Sequence, residues 1–248
     1  MIYLENEITG ELSNFVKCFW MSDSEEEEGV HTVLPDGYFD LLFHWIGGQL
    51  VNVSLTGTWT IPVDVSFTKN TRYFGIRFKL IASEYIFRES IEKIVDTSTS
   101  LPLDYWNTDP HLFDSLAVFS ETMSRIIEKY LPRYNEIDRR KFRLIQTLYD
   151  QNGDITVSEL ALRIGWSSRQ INRWFNGQFG LSLKTFANIL KCHAAYRHIA
   201  QGQFQPEKAY YDQAHFIKEV KRYTGTTPKE LHKNKNDRFL QLTTLPKK

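Results

Sequence analysis

Arg169, Asn172 and Arg173 stand at i, i+3 and i+4, so a helix puts all three on one face. A guanidinium can donate two parallel hydrogen bonds to guanine O6 and N7, and a carboxamide can pair with adenine N6 and N7. Ile171 and Phe175 fall on the opposite side, where they would seat the helix on a core. The plain alternative is an exposed polar face, with Arg173 in an ion pair inside the protein.

The pattern around these residues occurs twice, 45 positions apart. Ser167 matches Asp212 and Ser182 matches Thr227, all residue types that cap helix starts. Ile171 matches Phe216 and Phe175 matches Val220 as buried positions. Gly180 matches Gly225 as a helix stop. Arg173 matches Lys218, and Lys184 matches Lys229. Each copy therefore reads as a short, polar-faced helix, capped at its start and ended by glycine. Such a helix suits a DNA groove.

Anion chemistry is expected next to both copies. Ser182 and Thr227 open helices just after a glycine, where free backbone N–H groups favour phosphate. Ordinary capping explains the same residues, and the two roles are compatible. Lys184, Lys221, Arg222 and Lys229 are candidate phosphate contacts. Charge distribution agrees. The net charge is zero, yet residues 1–134 hold 20 acidic and 10 basic side chains, and residues 135–248 hold 10 and 20. The asymmetry suggests that one half meets a polyanion, although charge alone fits a basic solvated surface with no partner equally well.

The elements that must position these groups are legible. Arg139–Tyr149 is amphipathic and ends at Asn152-Gly153-Asp154. Thr156 with Glu159 forms a capping box for a helix that stops at Gly165. The Ser168–Phe175 helix follows, completing a helix-turn-helix. A long helix, Leu183–Ala200, leads to the second copy. Trp166 and Trp174 read as packing groups rather than base-stacking ones.

These residues resemble the AraC/XylS family of bacterial transcription regulators over roughly positions 137–235. The carrying motifs are Ile155-x-Val157-x-Glu159-Leu160-Ala161, then Ser167-x3-Ile171-x-Arg173-x-Phe175-x4-Gly180-x-Ser182. The second unit shows Tyr211-Asp212-Gln213-Ala214-His215-Phe216, then Lys218, Gly225, Thr227 and Pro228. The resemblance implies two helix-turn-helix units joined rigidly by the long helix, with double-stranded DNA as partner. It implies base contacts at Arg169, Asn172 and Arg173, and at Gln213 and Lys218 in the second unit. RNA polymerase becomes a partner if the protein activates transcription. Two departures stand out. Only Gln203–Ala209 precedes the second recognition helix, interrupted by Pro206, and Tyr210 replaces the usual turn glycine. Lys191 stands where arginine is usual.

Residues 1–80 read as β-rich, with strand candidates at 15–20, 38–45, 49–55 and 73–78, which suggests a small sandwich or barrel. The resemblance places an effector-binding or dimerising domain here, at 1–134, ahead of the DNA-binding domain at 135–248. Leu34-Pro35-Asp36-Gly37 and Gly75-Ile76-Arg77-Phe78 resemble motifs of that domain. Asp36, Tyr38, Asp40, His44 and Arg77, with Trp45 and Tyr73, are candidates for lining a small-molecule pocket. Alternation puts Tyr38, Asp40, Leu42 and His44 on one strand face, which serves equally as the solvent face of a sheet, the slightly preferred reading. The acidic run Glu25–Glu28 reads as a solvated hairpin tip. From Phe113 to Leu131 an apolar stripe of Leu116, Phe119, Met123, Ile126 and Tyr130 marks an amphipathic helix. It could cover its own β-domain or mediate a homodimer. Leu131–Asn135 reads as a hinge, so 135–248 is expected to fold alone.

The expected fold class is α+β: a β-rich sandwich or barrel-like domain with helices, then an all-α domain of two helix-turn-helix units. With 42% apolar residues the chain can build real cores. Cys18 and Cys192 are isolated, giving neither a zinc site nor a disulfide framework. No nucleophile–base set, phosphate-binding glycine loop or metal cluster is visible, so no catalytic residue, cofactor or metal is expected. No signal peptide or membrane-spanning run is seen, and a cytoplasmic protein is expected. The alternative is a small-molecule-binding protein or enzyme of the β-domain, with the basic helical half as an accessory.

Overall fold

The computed structural model describes residues 2–24, 28–108, 113–205 and 210–233. The acidic run Glu25–Glu27 and the Pro206–Ala209 segment lie outside the described residues. Eight strands are β1 (Ile2–Glu7), β2 (Val16–Ser24), β3 (Gly29–Val33), β4 (Phe39–Ile46), β5 (Gln49–Thr56), β6 (Val63–Phe67), β7 (Thr71–Phe78) and β8 (Ser98–Leu101). Six form one antiparallel sheet in the order β1-β2-β7-β4-β5-β8, and β3 pairs with β6.

Alternation decides the sheet's two faces. Phe39, Leu41 and Phe43 of β4, with Phe74, Ile76 and Phe78 of β7, are fully buried on one face. Helix α1 (Leu116–Glu128) covers that face: the Phe119 ring lies 5.8 Å from Phe19, 5.9 Å from Phe43 and 5.1 Å from Phe74. Leu116, Phe119 and Met123 are buried there together with Ile127. Tyr130 stacks on Trp106 at 5.4 Å. Leu116, Phe119, Met123 and part of Ile126 are consumed inside the molecule and only Tyr130 of the stripe stays exposed, so the stripe leaves little apolar surface for a homodimer through this helix. Periodicity shows that a face is apolar, not what covers it.

The other face holds Asp40 and Leu42 of β4, Tyr73 and Arg77 of β7, and Trp20, Ser22 and Ser24 of β2. It points at the β3–β6 pair rather than at solvent, which corrects the preferred reading. Gly75 lies opposite Trp20 on β2, and a Cβ there would meet the Trp20 indole at 2.1 Å. This glycine inside β7 is thus a close-approach position.

Among the described residues seven α-helices follow or close the β region. After α1 come α2 (Arg139–Asp150), α3 (Val157–Ile164), α4 (Ser168–Phe179), α5 (Leu183–Ala200), α6 (Gln213–Thr224) and α7 (Pro228–Lys233). The fold is α+β, as expected. Buried apolar side chains from both halves belong to one continuous core. The break at Pro132 divides the sequence pattern but not the packing.

Candidate nucleic-acid interface and effector cavity

The first helix-turn-helix is specified by its caps. Thr156 accepts from the Glu159 backbone N–H at 3.2 Å while the Glu159 carboxylate takes the Thr156 N–H at 2.8 Å. This backbone hydrogen bond holds the exposed Glu159 carboxyl below its ordinary pKa. Gly165 closes α3 at φ 73°, and Ser167 with Gln170 repeats the box at the start of α4. Ile171, Phe175 and Phe179 are buried, so α4 presents Arg169, Asn172 and Arg173 to solvent. Asn172 Nδ2 donates to the Ser168 carbonyl at 2.9 Å, a bond it must exchange to read a base. Trp166 and Trp174 pack ring to edge at 5.9 Å, with Arg140 over Trp166 at 5.2 Å, so both are packing groups.

The far end of α4 is clamped by the N-terminal half. Trp174 Nε1 donates to Glu84 Oε2 at 3.1 Å, and Gln178 Nε2 donates to Ser83 Oγ at 3.1 Å and the Glu89 carbonyl at 2.8 Å. The Ile91 N–H donates to the Gln178 carbonyl at 3.0 Å. Lys141 pairs with Glu84 as well. Residues 83–92, including a π-helical turn at Ser83–Phe87, thus hold the first recognition helix by one end and leave its reading face open.

The second unit is built differently. Asp212 caps α6 by accepting from the His215 N–H at 2.8 Å, and Phe216, Val220 and Tyr223 are buried. Residues 203–205 and 210–212 are not helical, so among the described residues no helix supports α6 from the position α3 holds under α4. Tyr210 is buried instead, 5.0 Å from the Phe216 ring. Gln213 Nε2 donates to the Phe204 carbonyl at 2.7 Å. In this conformation the amide holds the connection, and it would have to exchange this bond, as Asn172 must, to read a base. Lys218, Lys221, Arg222 and Lys229 are exposed.

The two phosphate candidates also part. Ser182 caps the Thr185 N–H at 3.0 Å, and no acidic residue sits in the first turn of α5, with exposed Lys184 beside it. At Thr227 the Glu230 carboxylate already takes the Thr227 N–H at 2.8 Å and its hydroxyl at 2.7 Å. A phosphate would have to displace a carboxylate there, so Thr227 is a cap and Lys229 is left as that end's cation.

In the β region a cavity of about 110 Å³ lies between the two sheets. Of the pocket candidates Asp40 and Arg77 line it, and so does Tyr73. Trp20, His31, Trp59 and Phe67 line it too and were missed. The available signal was Gly75, whose lack of a side chain marks where Trp20 lies. Asp36 flanks Arg77 at 3.6 Å without lining the cavity. His44 stacks on Tyr73 at 4.2 Å, and Trp45 packs on Phe113 at 4.7 Å. Tyr38 faces away, stacked on Tyr149 at 5.2 Å and edge-on to His193 at 6.0 Å.

Residues 35–38 therefore separate the cavity cluster from the helical half. Gly37 O accepts from the Tyr149 hydroxyl at 2.7 Å and Pro35 O from the Tyr196 hydroxyl at 3.0 Å. Gly37 has φ 83°, and a Cβ there would meet Leu190 of α5 at 2.6 Å.

A family model described as a domain of unknown function, DUF6597, matches residues 9–100. No curated protein matches the chain. Among solved structures, ToxT from Vibrio cholerae is similar at 11% identity and a TM-score of 0.43, over 93% of this chain and 97% of that one. ToxT from Vibrio cholerae O395 bound to (E)-4-(8-methylnaphthalen-1-yl)but-3-enoic acid is similar at 11% identity and 0.44, over 93% and 98%. ToxT from strain SCE256 bound to an unsaturated fatty acid is similar at 12% identity and 0.39, over 92% and 94%. The motifs of the helical half, not these matches, carry the resemblance to the AraC/XylS regulators. At these TM-scores the likeness decides nothing about individual residues. Among the described residues no helix is long and apolar enough to cross a membrane.

Proposed function

We propose that this protein is a sequence-specific DNA-binding transcription regulator of the AraC/XylS type. It works in the cytoplasm without catalysing a reaction. Residues 1–134 form an effector-binding domain around the cavity, and residues 135–248 bind double-stranded DNA. The carrying observation is the pair of capped helices, α4 and α6, set at the two ends of the 18-residue helix α5. That helix is roughly 27 Å long at 1.5 Å per residue. Rigid, it would let both recognition helices enter successive major grooves, about 34 Å apart, with modest bending of the duplex. Arg169, Asn172 and Arg173 read bases. Lys218 is the second unit's base contact, and Ser182, Lys184, Lys221, Arg222 and Lys229 hold phosphates. With most of the α1 stripe buried, homodimerisation falls to the β-domain surface. RNA polymerase is the further partner if the protein activates.

Selection of bound sequences from a random DNA pool at physiological salt tests this. The expected result is an asymmetric site of two short elements about 10 base pairs apart. Recovery of no consensus, or of no DNA, overturns the reading.

A further inference from the structure

The cavity's chemistry constrains what it takes. Its lining carries one guanidinium, Arg77, and that group is already committed. Glu5 lies 3.5 Å from it, Asp36 3.6 Å and Asp40 3.3 Å. Three carboxylates converge on one cation, so no positive charge is left over for an acidic ligand. Among the described residues Arg77 is the only Lys or Arg that lines the cavity.

Asp40 is the complement. It lines the cavity and is largely buried, with 14% of its side chain exposed. The bonds to its carboxylate from Trp20 Nε1, at 3.0 Å, and from Arg77 Nε, at 3.3 Å, both end on Oδ1. Burial raises the pKa of Asp40, with Asp36 adding to the rise and Arg77 opposing it. A carboxylate short of positive charge gains from a cation brought into the same partly enclosed space. The remaining walls suit one. Trp59, Phe67 and Tyr73 are aromatic, and aromatic faces attract ammonium groups. His31, the other ionisable wall besides Tyr73, lies flat on Phe67 at 4.4 Å.

We propose that the cavity binds a small organic cation, an amine or quaternary ammonium group, on Asp40 between aromatic walls. This rests on the reading of the cavity as the effector site. Size sets a limit: a cavity of about 150 Å³ admits benzene, so one of about 110 Å³ takes a ligand of about five non-hydrogen atoms.

The test uses the full chain with tetramethylammonium and n-butylammonium, against butyrate and 1-butanol, at constant ionic strength. Thermal melting and tryptophan fluorescence are the readouts. Saturable binding of either cation, with at least a tenfold weaker response to butyrate and butanol, is expected. Asp40→Asn should abolish it. Ser22→Leu, which fills the cavity from a lining position that carries no charge, should do the same and serves if Asp40→Asn does not fold. Preferential binding of butyrate, equal binding of all four probes, no binding, or cation binding unchanged in both variants overturns the proposal. DNA binding measured on the same preparations is a separate readout. Its absence beside saturable cation binding would sink the regulator reading and leave the cation site standing.

Discussion

The two helix-turn-helix units share a sequence pattern but not a setting. α4 and α6 are both 12 residues long, both carry a side-chain N-cap, and both end on glycine at φ 73°. Around Gly180 the N-terminal half closes in: an added Cβ would meet the Glu92 carbonyl oxygen at 2.4 Å. Around Gly225 the nearest atom is Pro62 Cγ at 4.0 Å. Equal local signals thus produce equal helices, while only one helix is gripped by the β-rich half. The first unit is positioned by the rest of the molecule. The second is held by its own residues and α5, through Gln213 on Phe204 and the His232 ring nitrogen 2.8 Å from the Ile199 carbonyl.

Matched glycine substitutions break this comparison most sharply. Both cost the left-handed backbone penalty, about 1–2 kcal/mol. Gly180→Ala should add a clash with backbone that cannot yield easily, for a total of about 3 kcal/mol or more. Gly225→Ala should stay near the penalty alone. Urea unfolding of the full chain measures both, and equal losses would mean that the clamp on α4 contributes nothing.

Base readout should differ in the same direction. Arg169→Ala is expected to cost about 1–3 kcal/mol in DNA binding and to relax preference at one position. Gln213→Ala should instead lower stability by about 1 kcal/mol, the worth of one hydrogen bond, and leave base preference alone. Sequence selection with each variant decides; uniform weakening by Arg169→Ala would make it a phosphate contact.

The seam between the halves offers a pH handle. Burial first, then the positive charges of Arg77 and Lys17, bring the His193 pKa down from 6.5 to about 4. His193 is therefore neutral in the folded protein and takes up a proton on unfolding below pH 6.5. Its contribution to stability is complete above 6.5 and is lost as pH falls towards 4. Melting temperature against pH should show this decline, and His193→Gln should flatten it.

The smallest effect belongs to the exposed second unit. Lys229→Ala should weaken all DNA sequences alike and flatten the slope of log affinity against log salt by about one unit. A sequence-dependent loss would promote Lys229 to a base contact.

Much was legible because it is local. A cap needs only its own turn, so Thr156, Ser167, Ser182 and Asp212 could be named before any fold was known. The αL stops at Gly165, Gly180 and Gly225, and the inward faces of α4 and α6, follow from the same short-range geometry. In the β region, alternation along 38–45 separated Phe39, Leu41 and Phe43 from Asp40 and Leu42 correctly. It did not say whether the second face met solvent or another sheet. β3 and β6, which close the cavity, pair across thirty or more positions and leave no periodic signature strong enough to read. Asp36 and Arg77 could be chosen by type, but their meeting depends on strand order, as does the turning of Tyr38 towards Tyr149. The α1 stripe marked an apolar face without marking its cover, and Thr227 and Gln213 looked free until Glu230 and Phe204 O were seen against them. The sequence by itself determined the helices, their caps and which side of each is polar, because those depend on neighbours three or four residues away. Which faces meet, which charges are spent and which helix is clamped were decided only by tertiary structure, because each depends on residues brought together from distant parts of the chain.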